Sequence, residues 1–182
     1  MAKLFKPKMP KIGVKGHWSS MKFSENILQD ALIRHVLGLT YLQMADIGEV
    51  FEITEKFKSG TEWIDAWSQM AITLEKRADE SNSNATKESA YLRASTYWRV
   101  SLMYFNSTDD ERLAEYSQNS LDCYHKYLEV SDIDATYVEL PYENTFMPAH
   151  FYKSPVAGDK APLMILTPGR DTFAEDTAWI YR

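Results

Sequence analysis

The stretch Pro162-Leu163-Met164-Ile165-Leu166, followed at once by Thr167-Pro168-Gly169-Arg170-Asp171, decides how this chain is read. A continuous apolar run of strand length has no polar face to offer water. It marks a strand covered on both sides, which needs neighbouring strands and flanking helices. The Pro-Gly break ends it, and Thr172 to Arg182 then resume with helix-compatible residues, Glu175 and Asp176 lying where acids favour a helix N-terminus. Only about one helix follows the run within the 182 residues. The expected sheet would therefore expose paired-strand edges and an apolar face, which soluble proteins avoid. The expectation is of an unfinished chain.

Working upstream, Tyr137-Val138-Glu139-Leu140-Pro141 alternates like a half-buried strand ended by proline. Glu143-Asn144 makes a turn, Thr145 to Tyr152 return as the hairpin partner, and Ser154 to Ala161 form a polar loop. Before Ser131 the texture is helical. Ser59 and Glu62 fit a capping box, after which Trp63, Trp67, Met70, Ala71, Leu74 and Ala78 make one apolar stripe. A turn through Asp79 to Asn84 leads to a second helix with the stripe Tyr91, Ala94, Trp98, Leu102 and Phe105. Thr108 with Glu111 gives another capping box, opening a third helix through Leu113, Leu121, Tyr124 and Leu128. Earlier, Ile27, Leu28, Ala31, Leu32 and Val36 mark a helix stopped at Gly38, and a shorter helix runs from Glu49 to Phe57. Short connections favour antiparallel neighbours, so this part reads as a helical bundle or sheath.

Composition sets the outer limits. A hydrophobic share of 45% with 25% charged residues belongs to a globular protein rather than a disordered one. The net charge of −6 argues against a dedicated nucleic-acid binder. Lys3, Lys6, Lys8, Lys11 and Lys15 crowd the N-terminus, but Pro7, Pro10 and Gly13 interrupt any apolar stretch, so residues 1–20 read as a flexible basic arm. No window has the length of apolar sequence a membrane span needs. Cys123, the only cysteine, permits no intramolecular disulfide, and its neighbours Leu121 and Tyr124 suggest a buried, inert thiol. These features together suggest a cytoplasmic protein.

One set of residues, in order, resembles a known family. Gly60-Thr61-Glu62-Trp63 with Trp67, Met70, Ala71 and Ala78, then Ser89-Ala90-Tyr91-Leu92-Arg93-Ala94 and Tyr97-Trp98-Arg99, look like the N-terminal cap of an α/β-hydrolase group. That group includes dihydroxypseudooxynicotine hydrolase, fungal pigment-pathway polyketide hydrolases and relatives of the fermentation-respiration switch protein. The similarity continues at Val138 to Tyr142 and at Gly169-Arg170-Asp171-Thr172 with Glu175-Asp176, covering residues 46–182. The resemblance implies a truncated α/β-hydrolase fold: a helical cap domain over 21–132, then the start of the catalytic core over 133–182, with its first three strands and the start of its first helix. It implies a serine-type hydrolase acting on esters, amides or C–C bonds of a small-molecule substrate, with no cofactor, no nucleic acid and no membrane. Incomplete sheet edges would further favour self-association, such as a homodimer. The family's loop after the third strand has two glycines, and Pro168 here replaces the first, removing one N–H.

The chemistry such an enzyme needs is only half present. The nucleophile sits on a G-x-S-x-G elbow, followed in sequence by an acid and a histidine. None of the seven glycines has a serine two positions later, so the chain contains no catalytic triad and is expected to be inactive by itself. What the resemblance leaves is an oxyanion loop at Gly169, Arg170 and Asp171, the N–H of Arg170 or Asp171 being the candidate donor; a surface turn with a helix cap at Asp171 explains the same residues. Trp63, Trp67 and Trp98 are candidate substrate-lining residues, although aromatic residues at this spacing more often form a bundle core. His17, His35, His125 and His150 are scattered without ligand spacing, so no metal site is expected. Arg93 and Arg99 lie amid apolar stripes and call for partners such as Asp65, Glu75 or a further domain. Two other readings remain open: a tetratricopeptide-like interaction scaffold, and a short paralogue that has lost catalysis.

Overall fold

The computed structural model describes residues 22–58, 61–105, 109–156, 158, 160–169, 172 and 175–176. The expected basic arm over 1–20, Ser59, Thr108, Arg170, Asp171 and the helix expected beyond Asp176 lie outside them. Five helices come first: α1 (Ile27–Leu39), α2 (Ile47–Lys58), α3 (Trp63–Glu80), α4 (Asn84–Leu102) and α5 (Arg112–Val130). A two-stranded antiparallel hairpin follows, β1 (Ala135–Tyr142) and β2 (Thr145–Tyr152).

No glycine or proline occurs between Thr61 and Leu140, so nothing in that stretch breaks the helices except their own capping chemistry. The Asn26 side chain accepts from Leu28 N and Gln29 N to start α1, and Asp46 Oδ1 accepts from Gly48 N and Glu49 N to start α2. Ser83 caps α4 by accepting from Thr86 N, which confines the α3–α4 turn to three residues. Ser59 and Thr108, on which the two expected capping boxes turn, lie outside the described residues. α3 starts at Trp63 with Glu62 at its cap and no side-chain bond, one turn later than Ser59 requires. α5 starts at Arg112, and Asp110 Oδ1 takes the Arg112 N–H instead. Gly38 does not stop α1; the helix runs on through a 3-10 turn, Thr40–Leu42, and the chain reverses at Gln43, whose φ is 59°.

α4 lies between α3 and α5, which pack along its two sides, while α2 leans on α3 and α1 on α2. The stripe expected on α3 is its buried face: Trp63, Trp67, Met70, Ala71, Leu74 and Ala78 are all buried. α4 departs from its expected single stripe because two neighbours enclose it. From Ala90 to Ser101 it is buried on nearly every side, polar Ser95, Thr96, Arg99 and Ser101 included. Those groups are accommodated by hydrogen bonds rather than by water. Ser95 Oγ donates to Ser120 O (2.8 Å) and Ser120 Oγ donates to Ser95 O (2.9 Å), a reciprocal pair between small side chains that lets α4 and α5 approach closely. The α5 face is shifted from the expected one and consists of Ser120, Cys123, Tyr124 and Tyr127. On α1 the buried residues are Ile33 and Val36, whereas Ile27 and Leu28 face solvent.

The hairpin has the expected turn, with Glu143 at φ 49°, and pairs Tyr137 with His150 and Ala135 with Tyr152. Proline does not end β1. In a two-stranded ribbon every strand has a free edge, so Pro141 and Pro148 remove no ladder bond that a third strand would need. The run that decided the reading behaves differently from its expectation. Leu163 to Leu166 form no strand, and they are exposed, Ile165 by 81%. Strand geometry needs a partner ladder, and no described residue supplies one; the run is neither helical nor sheltered.

Candidate functional site

The strand register creates a cluster that the linear sequence conceals. Side chains two apart on a strand share a face, so His150 and Tyr152 point the same way as Tyr137, the cross-strand partner of His150. This face packs on α5 at Tyr124 and His125. The His125 and His150 Nε2 atoms are 3.3 Å apart, one imidazole donating to the other, and the Tyr124 and Tyr152 hydroxyls meet at 2.6 Å. His150 lies edge-on to Tyr124 and His125. The signal available beforehand was the Tyr137/His150/Tyr152 alternation itself, which needed only the correct register. Reading the histidines as scattered missed it.

Burial dominates the electrostatics of the cluster. The His150 side chain is 2% exposed; burial, with His125 beside it, lowers its pKa to about 4, so it is neutral at pH 7. Its Nδ1 is buried without a hydrogen-bond partner, 3.7 Å from Glu175 Oε1. Burial pushes the Glu175 carboxyl above the usual range, and burial with Tyr152 alongside raises the Tyr124 hydroxyl. The next residue, Asp176, forms an ion pair with the Nε of Arg99, whose side chain is 5% exposed.

Three residues before Glu175, Thr172 closes a turn with Gly169. Thr172 N (3.2 Å) and Thr172 Oγ1 (2.7 Å) both donate to Gly169 O. The amide of Thr172 is therefore engaged and is not free to stabilise an oxyanion. Arg170 and Asp171 lie outside the described residues.

The three tryptophans fare differently from one another. Trp63 stacks on Phe57 and Tyr104 and donates Nε1 to Val100 O (2.9 Å), and Trp67 is fully buried against Trp63 and Tyr97; both are interior packing residues. Trp98 donates to Glu75 and floors an open groove of ≈ 490 Å³ between α3 and α5, lined also by Ile72, Asp79, Glu80, Glu115 and Asn119. The arginine partners differ from those expected. Arg93 forks onto Glu49 (2.8 and 3.1 Å), whose Oε2 also accepts from the Tyr97 hydroxyl (2.9 Å), while Asp65 faces Arg112. Among the described residues no group of three or more His, Cys, Asp or Glu side chains is placed to hold a metal ion, and no helix is long and apolar enough to cross a membrane.

No protein-family model matches the chain. Individual proteins do. The α/β hydrolase xenA of Xenoacremonium sinensis is 28% identical over 171 residues, covering 87% of this chain and 39% of the relative. The 20-hydroxy-prefusarin hydrolase FUS2 of Gibberella moniliformis is 27% identical over 154 residues, covering 78% and 36%. Hydrolase acrC of Aspergillus aculeatus is 30% identical over 153 residues, covering 72% and 36%. The chain is thus a homologue of proteins named α/β hydrolases or hydrolases, matched over most of its own length while spanning about 40% of theirs.

Proposed function

We propose that the chain is the N-terminal part of a serine-type α/β hydrolase. Residues 21–132 are its helical cap, and residues 133–182 open the catalytic core. The observation that carries this reading is the extent of the similarity: a match over 87% of the chain is longer than the helical part, 27–130, so it takes in the hairpin region as well. Helical packing alone would not explain that.

In this reading the nucleophile, acid and histidine come from sequence other than these 182 residues, in the order the fold requires. This part supplies an oxyanion-stabilising amide after Pro168. With the Thr172 amide engaged by Gly169, the donor is left to the chain between them, at Arg170 or Asp171. The substrate is a small molecule, as the name of the 20-hydroxy-prefusarin hydrolase indicates for that relative. It would lie between cap and core; of the candidate tryptophans, Trp98 borders the open groove between α3 and α5. No cofactor is needed, nucleic acid and membrane are not partners, and the cytoplasm is the compartment in which a lone thiol such as Cys123 stays reduced. The exposed run Leu163 to Leu166 favours self-association, a homodimer included, whenever the rest of the core is missing.

The test is the reading frame that carries these codons. We expect a G-x-S-x-G elbow beyond residue 182, then an acid and a histidine. A frame that continues without an elbow serine removes the enzyme. The purified 182-residue chain should not turn over p-nitrophenyl acetate. Turnover abolished by replacing one of its own serines would refute the assignment of catalysis to sequence elsewhere.

A further inference from the structure

Two consecutive acids, Glu175 and Asp176, reach two different parts of the fold. Asp176 pairs with Arg99, buried in the last turn of α4, and Glu175 faces the unpartnered Nδ1 of His150 on β2. All four side chains are mostly withdrawn from water: 5% and 18% exposed for Arg99 and Asp176, 2% and 14% for His150 and Glu175. Their receptors are themselves fixed. α4 is enclosed by α3 and α5, and β2 is bonded to α5 through the Tyr152–Tyr124 hydroxyls and the His150–His125 rings. A buried arginine left without its acid is strongly unfavourable, so the pairing is an anchor rather than a loose surface contact. Between this anchor and the end of β2 the apolar run is exposed, and the Thr172-to-Gly169 bonds close the turn just before the anchored acids.

We propose that Arg99 and His150 are positioning residues: they seat the Glu175–Asp176 pair and thereby set where the chain at Gly169 and Thr172 lies relative to helix α4 and the hairpin. The functional meaning, placement of an oxyanion-stabilising loop by the cap, rests on the hydrolase reading. The anchoring itself does not. In this role Arg99 acts through Asp176.

The experiment uses the 182-residue chain and hydrogen exchange read by mass spectrometry over residues 163–176, alongside an NMR titration of His150. Asp176→Asn and Arg99→Gln should each speed exchange at 172–176 at least tenfold while peptides of α3 and α5 keep their protection. Release of Glu175 opens the face of His150 and should move its titration upward toward 6.5. Arg99→Lys should restore part of the protection, and the exchanged pair Arg99→Asp with Asp176→Arg more than either single change. Should Arg99→Gln fail to fold, Asp176→Asn carries the test, because it alters no helical residue and keeps an amide oxygen as acceptor for the Arg99 guanidinium. Unchanged exchange at 172–176 in Asp176→Asn overturns the proposal. So does a uniform rise across all helices, which would make the pair a global stability contact. An elbow-free reading frame with localised release would sink the hydrolase reading and leave the anchor standing.

Discussion

Acidification should weaken this fold through His150, and the effect can be sized. The perturbation is a shift from pH 7 to about pH 4.5, above which unfolded carboxylates are mostly ionised. In the unfolded chain His150 takes up its proton near 6.5, whereas in the native state burial and His125 delay it to about 4. Between these values the unfolded state binds more protons, so stability rises with pH through the window and falls as pH drops through it. The difference of about 2.5 in pKa corresponds to about 3 kcal/mol if the window is crossed completely. The side chain is almost wholly buried, so solvent screening removes little of it. Glu175 works in the opposite sense: its raised pKa means that the native state holds a proton the unfolded chain has lost, which favours the fold on acidification. The other groups facing His150 are Tyr124 and His125 from α5, Tyr137 from β1 and Tyr152 from β2; burial raises the Tyr124 and Tyr137 hydroxyls above their usual range. Urea unfolding measured at half-unit steps from pH 7.5 to 4.5 should show a net loss of about 1–3 kcal/mol in the parent chain. His150→Phe, which keeps a ring among those tyrosines, should flatten the curve. An equally steep loss in His150→Phe would refute the account.

Other substitutions test the packing directly. Ser95→Val should cost about 1–3 kcal/mol in urea unfolding, because it removes the hydroxyl that donates to Ser120 O and puts two methyl groups where α4 and α5 meet through small side chains. Glu49→Leu should cost about 3 kcal/mol or more, since it strands the Arg93 guanidinium and the Tyr97 hydroxyl together; Glu49→Gln should cost less by keeping an acceptor. If the exposed run drives association, Ile165→Lys should lower the sedimentation-determined mass at high protein concentration without changing the thermal midpoint. A monomer that is unaffected by that change would contradict it.

How much of this was legible in the sequence depends on whether one neighbour or several decided an element's environment. α3 packs on one side, so its amphipathic spacing, Trp63 through Ala78, translates directly into its buried face. α4 packs on two sides. Its buried serines, threonine and Arg99 look like solvent residues in a periodicity count; Thr96 and Ser101 bond to carbonyls within α4, but the partners of Ser95 and Arg99, Ser120 and Asp176, lie 25 residues or more away in the chain. The hairpin was legible because a turn and two alternating runs are local facts; the His125–His150 contact was not, since it needs both the register and the docking of that hairpin on α5.

The run Leu163 to Leu166 shows the limit from the other side. Its composition specifies a covered strand, yet covering is a property of neighbours, and among the described residues none pairs with it. Apolar composition without a ladder produces exposed chain, not strand. The acids at 175–176 make the complementary point. Their placement three residues after a Gly-Thr turn reads as complementing a helix dipole, a local effect worth a few tenths to about 1 kcal/mol at a surface. Buried opposite Arg99 and His150, the same two carboxyls take part in contacts whose disruption is several times more costly. The larger effect decides their role, and it ties Glu175 and Asp176 to the helical layer and the hairpin.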